Sequence, residues 1–136
     1  LKIKYGELNR LFETLSRMSG LTGKEGYAIA KTKIAIRDEV SVFVELRDGL
    51  FQKYGSADGD RLIVKTDAPE YETFIKEFAE LCNKEIDVNI HQIPEAEYSL
   101  DKVYCDSAQA EDYEVFDQYM VDRKDNSDKG ESDGAV

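Results

Sequence analysis

Three features of the 136-residue chain predict a mainly helical α+β fold. A proline-free stretch of helix-forming residues runs to Tyr54, a shorter amphipathic segment stands directly before it, and two short strand-like segments flank a third amphipathic one. The expected architecture is a helical hairpin with one long arm, a third amphipathic helix and a small sheet of two or three strands. At this length one globular domain is the expectation, over 1–121, with its core in 2–95 and an extension over 96–121. Residues 122–136, almost without apolar side chains, are expected to form a disordered acidic tail.

Lys2, Ile3, Lys4 and Tyr5 alternate as in a brief strand. Leu8, Leu11, Phe12, Leu15 and Met18 then recur at helical spacing and predict a helix over 7–18 with one buried stripe. Ser19 to Gly23 break it, and Thr22 with Glu25 three residues on forms a capping-box signal for the next helix. That helix is expected to continue for about 30 residues, roughly 45 Å at 1.5 Å per residue, whereas its partner covers only about 18 Å. Apolar residues continue along the uncovered part, so either another chain or the helix predicted over 68–83 must cover them.

Gly55 stands where a C-cap glycine belongs, and Asp58-Gly59 signals a turn. Residues 61–65 read as a strand. Asp67, Pro69 and Glu70 then mark the start of the third helix, whose apolar face carries Tyr71, Phe74, Ile75, Phe78, Leu81 and Cys82. Ile86, Val88 and Ile90 alternate with polar residues as in a half-buried strand, ended by Pro94. These two strands are either parallel neighbours with the helix as crossover, or one of them pairs antiparallel with the N-terminal strand. A short helix is expected within 107–121.

Charge is unevenly spread. Residues 1–54 carry ten Lys and Arg against seven Asp and Glu, whereas the remainder carries eight against 22, so a weakly basic first part, at +3, precedes a strongly acidic second part, at -14, within the net charge of -11. That balance argues against direct binding of nucleic acid, whose affinity comes from cationic side chains replacing condensed counterions. No apolar run approaches the roughly 20 residues of a bilayer span, and the N-terminus lacks the pattern of a signal peptide. A cytoplasmic location and no membrane partner are therefore expected. Cys82 and Cys105 have neither CxxC spacing nor a nearby histidine, and reduced thiols are expected.

Candidate chemistry is sparse. His91 is the only histidine, and on a strand it would share a face with Asp87 and Asn89, although i and i+4 on a strand lie roughly 13 Å apart. Asp58, Asp60 and Asp67 flank a turn, but their spacing does not match an EF-hand loop. Gly20, Gly23 and Gly26 precede a helix without the GK[ST] ending of a P-loop, so loop geometry explains them. No catalytic residue, metal site or cofactor is expected from these patterns.

Tyr27, Ala28, Ala30, Lys31, Ile36, Glu39, Phe43, Arg47, Leu50, Lys53, Tyr54 and Gly55, after a short apolar helix, form a more specific pattern. Over roughly residues 2–95 the chain resembles small proteins of unknown function encoded by phages and prophages of Gram-positive bacteria. The resemblance implies a helical hairpin followed by a helix and strand pair and an acidic tail, in a viral gene context, and it implies no activity. The chain departs from that pattern at Thr22-Gly23-Lys24, where Pro and a hydrophobic residue are expected, and in its longer C-terminal segment.

The function expected from these readings is non-catalytic protein–protein binding or self-assembly through the long helix, with Ile36, Val40, Phe43, Leu50 and Phe51 as interface candidates. The partner would be a second copy or another protein. An alternative is an acidic inhibitor that occupies a basic site on a host nucleic-acid-binding or defence protein, through Asp112, Tyr113, Glu114, Phe116, Asp117 and Tyr119. An enzyme is the third reading, with one histidine and no recognised motif behind it.

Overall fold

The computed structural model describes residues 1–123, so the expected tail lies outside the described residues from residue 124 onward. Of the described residues 62% are helical, in a mainly helical α+β arrangement. The α-helices among them are α1 (Tyr5–Arg17), α2 (Gly23–Tyr54), α3 (Tyr71–Asn83) and α4 (Ala110–Met120). The strands are β1 (Lys2–Lys4), β2 (Ser56–Asp58), β3 (Arg61–Ile63), β4 (Glu85–Asp87), β5 (Ile93–Pro94) and β6 (Val121–Asp122). They form three two-stranded sheets, β1 with β4, β2 with β3 and β5 with β6. No described helix is long and apolar enough to cross a membrane.

Two compact units divide the described residues: 1–12 with 35–89, and 13–34 with 90–123. The hairpin helices α1 and α2 contribute to both.

In the first unit β1 and β4 are antiparallel, with Ile3 opposite Ile86. This is the second of the two pairings open to the sequence. The 61–65 segment is shorter than predicted and turns back on β2 through Gly59, whose φ of +67° suits glycine. Ile3, Tyr5, Leu8, Leu11, Ile36, Val40, Phe43, Phe74 and Val88 form the buried core. Tyr5 sits over Phe43, ring centroids 5.8 Å apart, and its hydroxyl donates to Glu39 Oε1 at 3.1 Å. The third helix begins at Tyr71 rather than near 68, because the residue before proline is disfavoured in the α region. Residues 65–71 instead make turns, with the N–H of Ala68 on Lys65 O and that of Tyr71 on Ala68 O, both at 3.1 Å.

In the second unit Thr14 and Leu15 of α1, Met18 in the turn after it, and Ala28, Ile29 and Thr32 of α2 are buried, as are Val103, Val115, Phe116, Met120 and Val121. β5 and β6 are parallel, with Ile93 opposite Val121. Neither strand shows in the sequence, since two residues are too few for an alternating pattern. α4 starts at Ala110, after two 3-10 turns at Glu95–Glu97 and Leu100–Val103.

The entry to α2 requires glycine at two places. Gly23 has φ +67°, and a Cβ on Gly26 would collide with the carbonyl of Leu21. Gly26→Ala is therefore expected to lower stability by at least about 1 kcal/mol through overpacking. Helix propensity alone would give a gain of roughly 1 kcal/mol, so the sign of the change in thermal melting checks this contact.

Candidate functional site

The middle of α2, within the first unit, is flanked by two open grooves. One, of about 540 Å³, has Phe12 of α1 and Val40 and Val44 of α2 as its apolar lining, with Arg37, Glu45 and Asp48 at its rim. The other, of about 650 Å³, is lined by Phe51, Leu62 and Phe78, with Arg47, Gln52 and Asp60 as polar neighbours. Asp48 lines both. The α2 side of the first groove forms a ridge that presents exposed Arg37, Ser41, Glu45 and Asp48 beside half-buried Val44. Asp48 Oδ1 lies 3.5 Å from Arg47 Nε, and the Arg47 guanidinium lies 5.9 Å from the Phe43 ring centroid.

The five interface candidates separate into two groups in this setting. Ile36, Val40 and Phe43 are buried by their own chain, at 0%, 5% and 3% exposure. They belong to the core, a correction to their reading as a free stripe, although Val40 also reaches the first groove. Leu50 and Phe51 are half-buried. Phe51 meets α3, with its ring centroid 5.3 Å from that of Phe74 and 6.3 Å from that of Phe78, and Tyr54 lies 6.0 Å from Phe74. The third helix thus covers the C-terminal end of α2.

The acidic and aromatic candidates of α4 are placed differently again. Asp112 is 1% exposed and Phe116 fully buried, which removes both from any partner surface. The Asp112 carboxylate accepts from Arg17 Nη2 at 2.7 Å and Nε at 2.8 Å, from Thr14 Oγ1 at 2.9 Å and from the Gln109 N–H at 2.9 Å. The last of these belongs to a capping box at the start of α4. Four donors satisfy the buried charge, and Arg17 above all holds the carboxyl down at about 2 against the opposing effect of burial. Tyr113 is half-buried, its hydroxyl accepting from Cys105 N–H and donating to Cys105 O, both at 3.1 Å. Asp117 is held by Arg123 at 2.6 Å, Tyr119 is half-buried and Glu114 is exposed.

His91 lies outside any strand, because β4 ends at Asp87 once the three residues of β1 are matched. The shared strand face expected for Asp87, Asn89 and His91 is therefore not formed. Asp87 Oδ1 lies 3.1 Å from the Leu1 nitrogen in the first unit. In the second unit the His91 ring meets the edge of Tyr27, centroids 5.2 Å apart, and its backbone N–H donates to Thr32 Oγ1 at 2.9 Å. The two rings line a pocket of about 490 Å³ at the start of α2, together with Lys24, which is paired with Glu97. Asp58 pairs with Arg61 at 3.8 Å, while Asp60 and Asp67 lie in turns. Among the described residues no three His, Cys, Asp or Glu side chains are grouped to hold a metal ion. Cys82 and Cys105 are free thiols, and burial pushes that of Cys82 up.

Comparisons with protein-family models, curated proteins and solved structures gave no match to this chain.

The Arg17–Asp112 pair gives a prediction with a defined pH window. Asp112→Asn is expected to cost about 2 kcal/mol at pH 7, below the scale of a fully buried pair because the Arg17 side chain is 41% exposed. Because the carboxyl is lowered in the folded state, its contribution is complete above about pH 4 and is lost as pH falls toward 2. Urea unfolding of wild type and variant at pH 7 and pH 3 should show the gap narrowing at the lower pH.

Proposed function

We propose that this protein acts without catalysis, by binding protein surfaces through the ridge and grooves of α2 between residues 37 and 52. The observation that carries this reading is the pair of open grooves along one helix, each with three apolar side chains in its lining. Grooves between packed helices receive the apolar face of another helix, and rim charges then fix which helix and in which direction. Here the apolar lining comes from Phe12, Val40, Val44, Phe51, Leu62 and Phe78, and the charges of Arg37, Glu45, Arg47 and Asp48 stand at its edges.

The phage or prophage context suggested by the sequence pattern agrees with such a binding role and adds no partner. Inhibition through an acidic α4 surface is the less favoured reading, since Asp112 is committed to Arg17 and Phe116 to the core.

A photo-crosslinking residue at position 41, on the ridge, tests the proposal in the cells that produce the protein. The expected result is a discrete adduct, reduced at least about ten-fold by Val44→Asp, a loss of about 1.4 kcal/mol in binding. Crosslinking from exposed Lys65 serves as the comparison. No adduct from position 41, or the same yield from both positions, would refute the binding role of this face.

A further inference from the structure

The exposed ridge of α2 has an internal symmetry that identifies an occupant for its groove. Arg37, Ser41, Val44 and Asp48 follow one another at intervals of four, three and four residues, the spacing of a two-helix seam. All four line the same groove, and the buried stripe through Ile36, Val40 and Phe43 leaves them facing outward. Position numbers in this seam are symmetric about the midpoint between Val42 and Phe43. An antiparallel copy of the helix therefore sets Ser41 opposite Val44, and Arg37 opposite Asp48, twice over.

We infer that the partner of this face is a second copy of the chain, packed through α2 as an antiparallel pair about a two-fold axis near residues 42 and 43. The inference rests on the binding reading above and names its partner. Charge decides the direction: a parallel pair in register would set Arg37 against Arg37 and Asp48 against Asp48, whereas the antiparallel one forms two opposite-charge pairs. A two-fold interface needs a self-complementary patch, and this seam is one. Small Ser41 at the centre lets the helices approach, and Val44 of each copy enters the other's groove, against Phe12 and Val40. Asp48 gives up only an exposed contact with its neighbour Arg47 at 3.5 Å.

The seam spans three turns, roughly 16 Å, and the acidic Asp38 and Glu45 come near each other on one rim. The pair accordingly belongs with weak, concentration-dependent dimers.

Sedimentation of the full chain from about 10 µM to about 1 mM tests this, against masses of 15.5 kDa and about 31 kDa. Wild type is expected to shift toward the dimer as concentration rises. Arg37→Asp alone and Asp48→Arg alone should each weaken pairing at least about ten-fold. The double exchange in one chain should restore it, because positions 37 and 48 of facing copies then carry opposite charges again, with their signs swapped. In a background with Cys82→Ser and Cys105→Ser, mixing Ser41→Cys chains with Val44→Cys chains should give a mixed disulfide under mild oxidation. A monomer up to 1 mM overturns the self-pairing, as does a dimer indifferent to either charge reversal or a double exchange that fails to restore it. A Ser41→Cys homodimer forming faster than the mixed one would overturn the antiparallel arrangement. If the chain stays monomeric while position 41 crosslinks to a protein of another mass, the binding reading stands and only self-pairing fails.

Discussion

The length of α2 is the constraint from which most of this structure follows. A helix of 32 residues extends roughly 48 Å, and the 13 residues of α1 reach less than half of that. Its buried stripe, through Ala28, Ile29, Thr32, Ile36, Val40 and Phe43, keeps the i, i+3, i+4 rhythm for much of its course. Water cannot be excluded from such a stripe by one short partner, so the rest of the chain is recruited to it. In the first unit Tyr5 and the aromatic side chains of α3 meet α2, and in the second the backbone N–H of His91 closes over Thr32.

Among the parts of α2 left uncovered is the ridge of Arg37, Ser41, Glu45 and Asp48. It carries charge and a small side chain, whereas the large apolar Val42 and Leu46 stand exposed on another side of the helix. The conspicuous apolar residues of α2, Ile36 and Phe43 among them, serve the fold. The candidate site lies beside them, one helical step around.

That displacement explains what the sequence reveals and what it withholds. The hairpin, the third helix and the brief strands are legible because apolar spacing reports burial, and the spacings of Leu8, Leu11 and Leu15 and of Phe74 and Phe78 leave little choice. Spacing does not report which element does the covering, so Ile36, Val40 and Phe43 read equally well as an interface. The end of the chain is harder still. An aspartate among other acidic residues looks solvated, and nothing near Asp112 in sequence announces Arg17, 95 positions away. β5 and β6 are legible only through their neighbours in space.

The closed setting of Asp112 also bears on how such a chain can change over time. A carboxylate shut away from water on four donors is costly to exchange by itself, and loss of the guanidinium that neutralises it would leave that charge buried without its main partner. Replacing both together by well-packed apolar side chains is neutral or stabilising in other buried pairs. Positions 17 and 112 are thus tied as one heritable unit, to be kept or lost jointly. Among distant kin of this protein their joint variation would be a truer mark of descent than the interchangeable leucines and valines of its core.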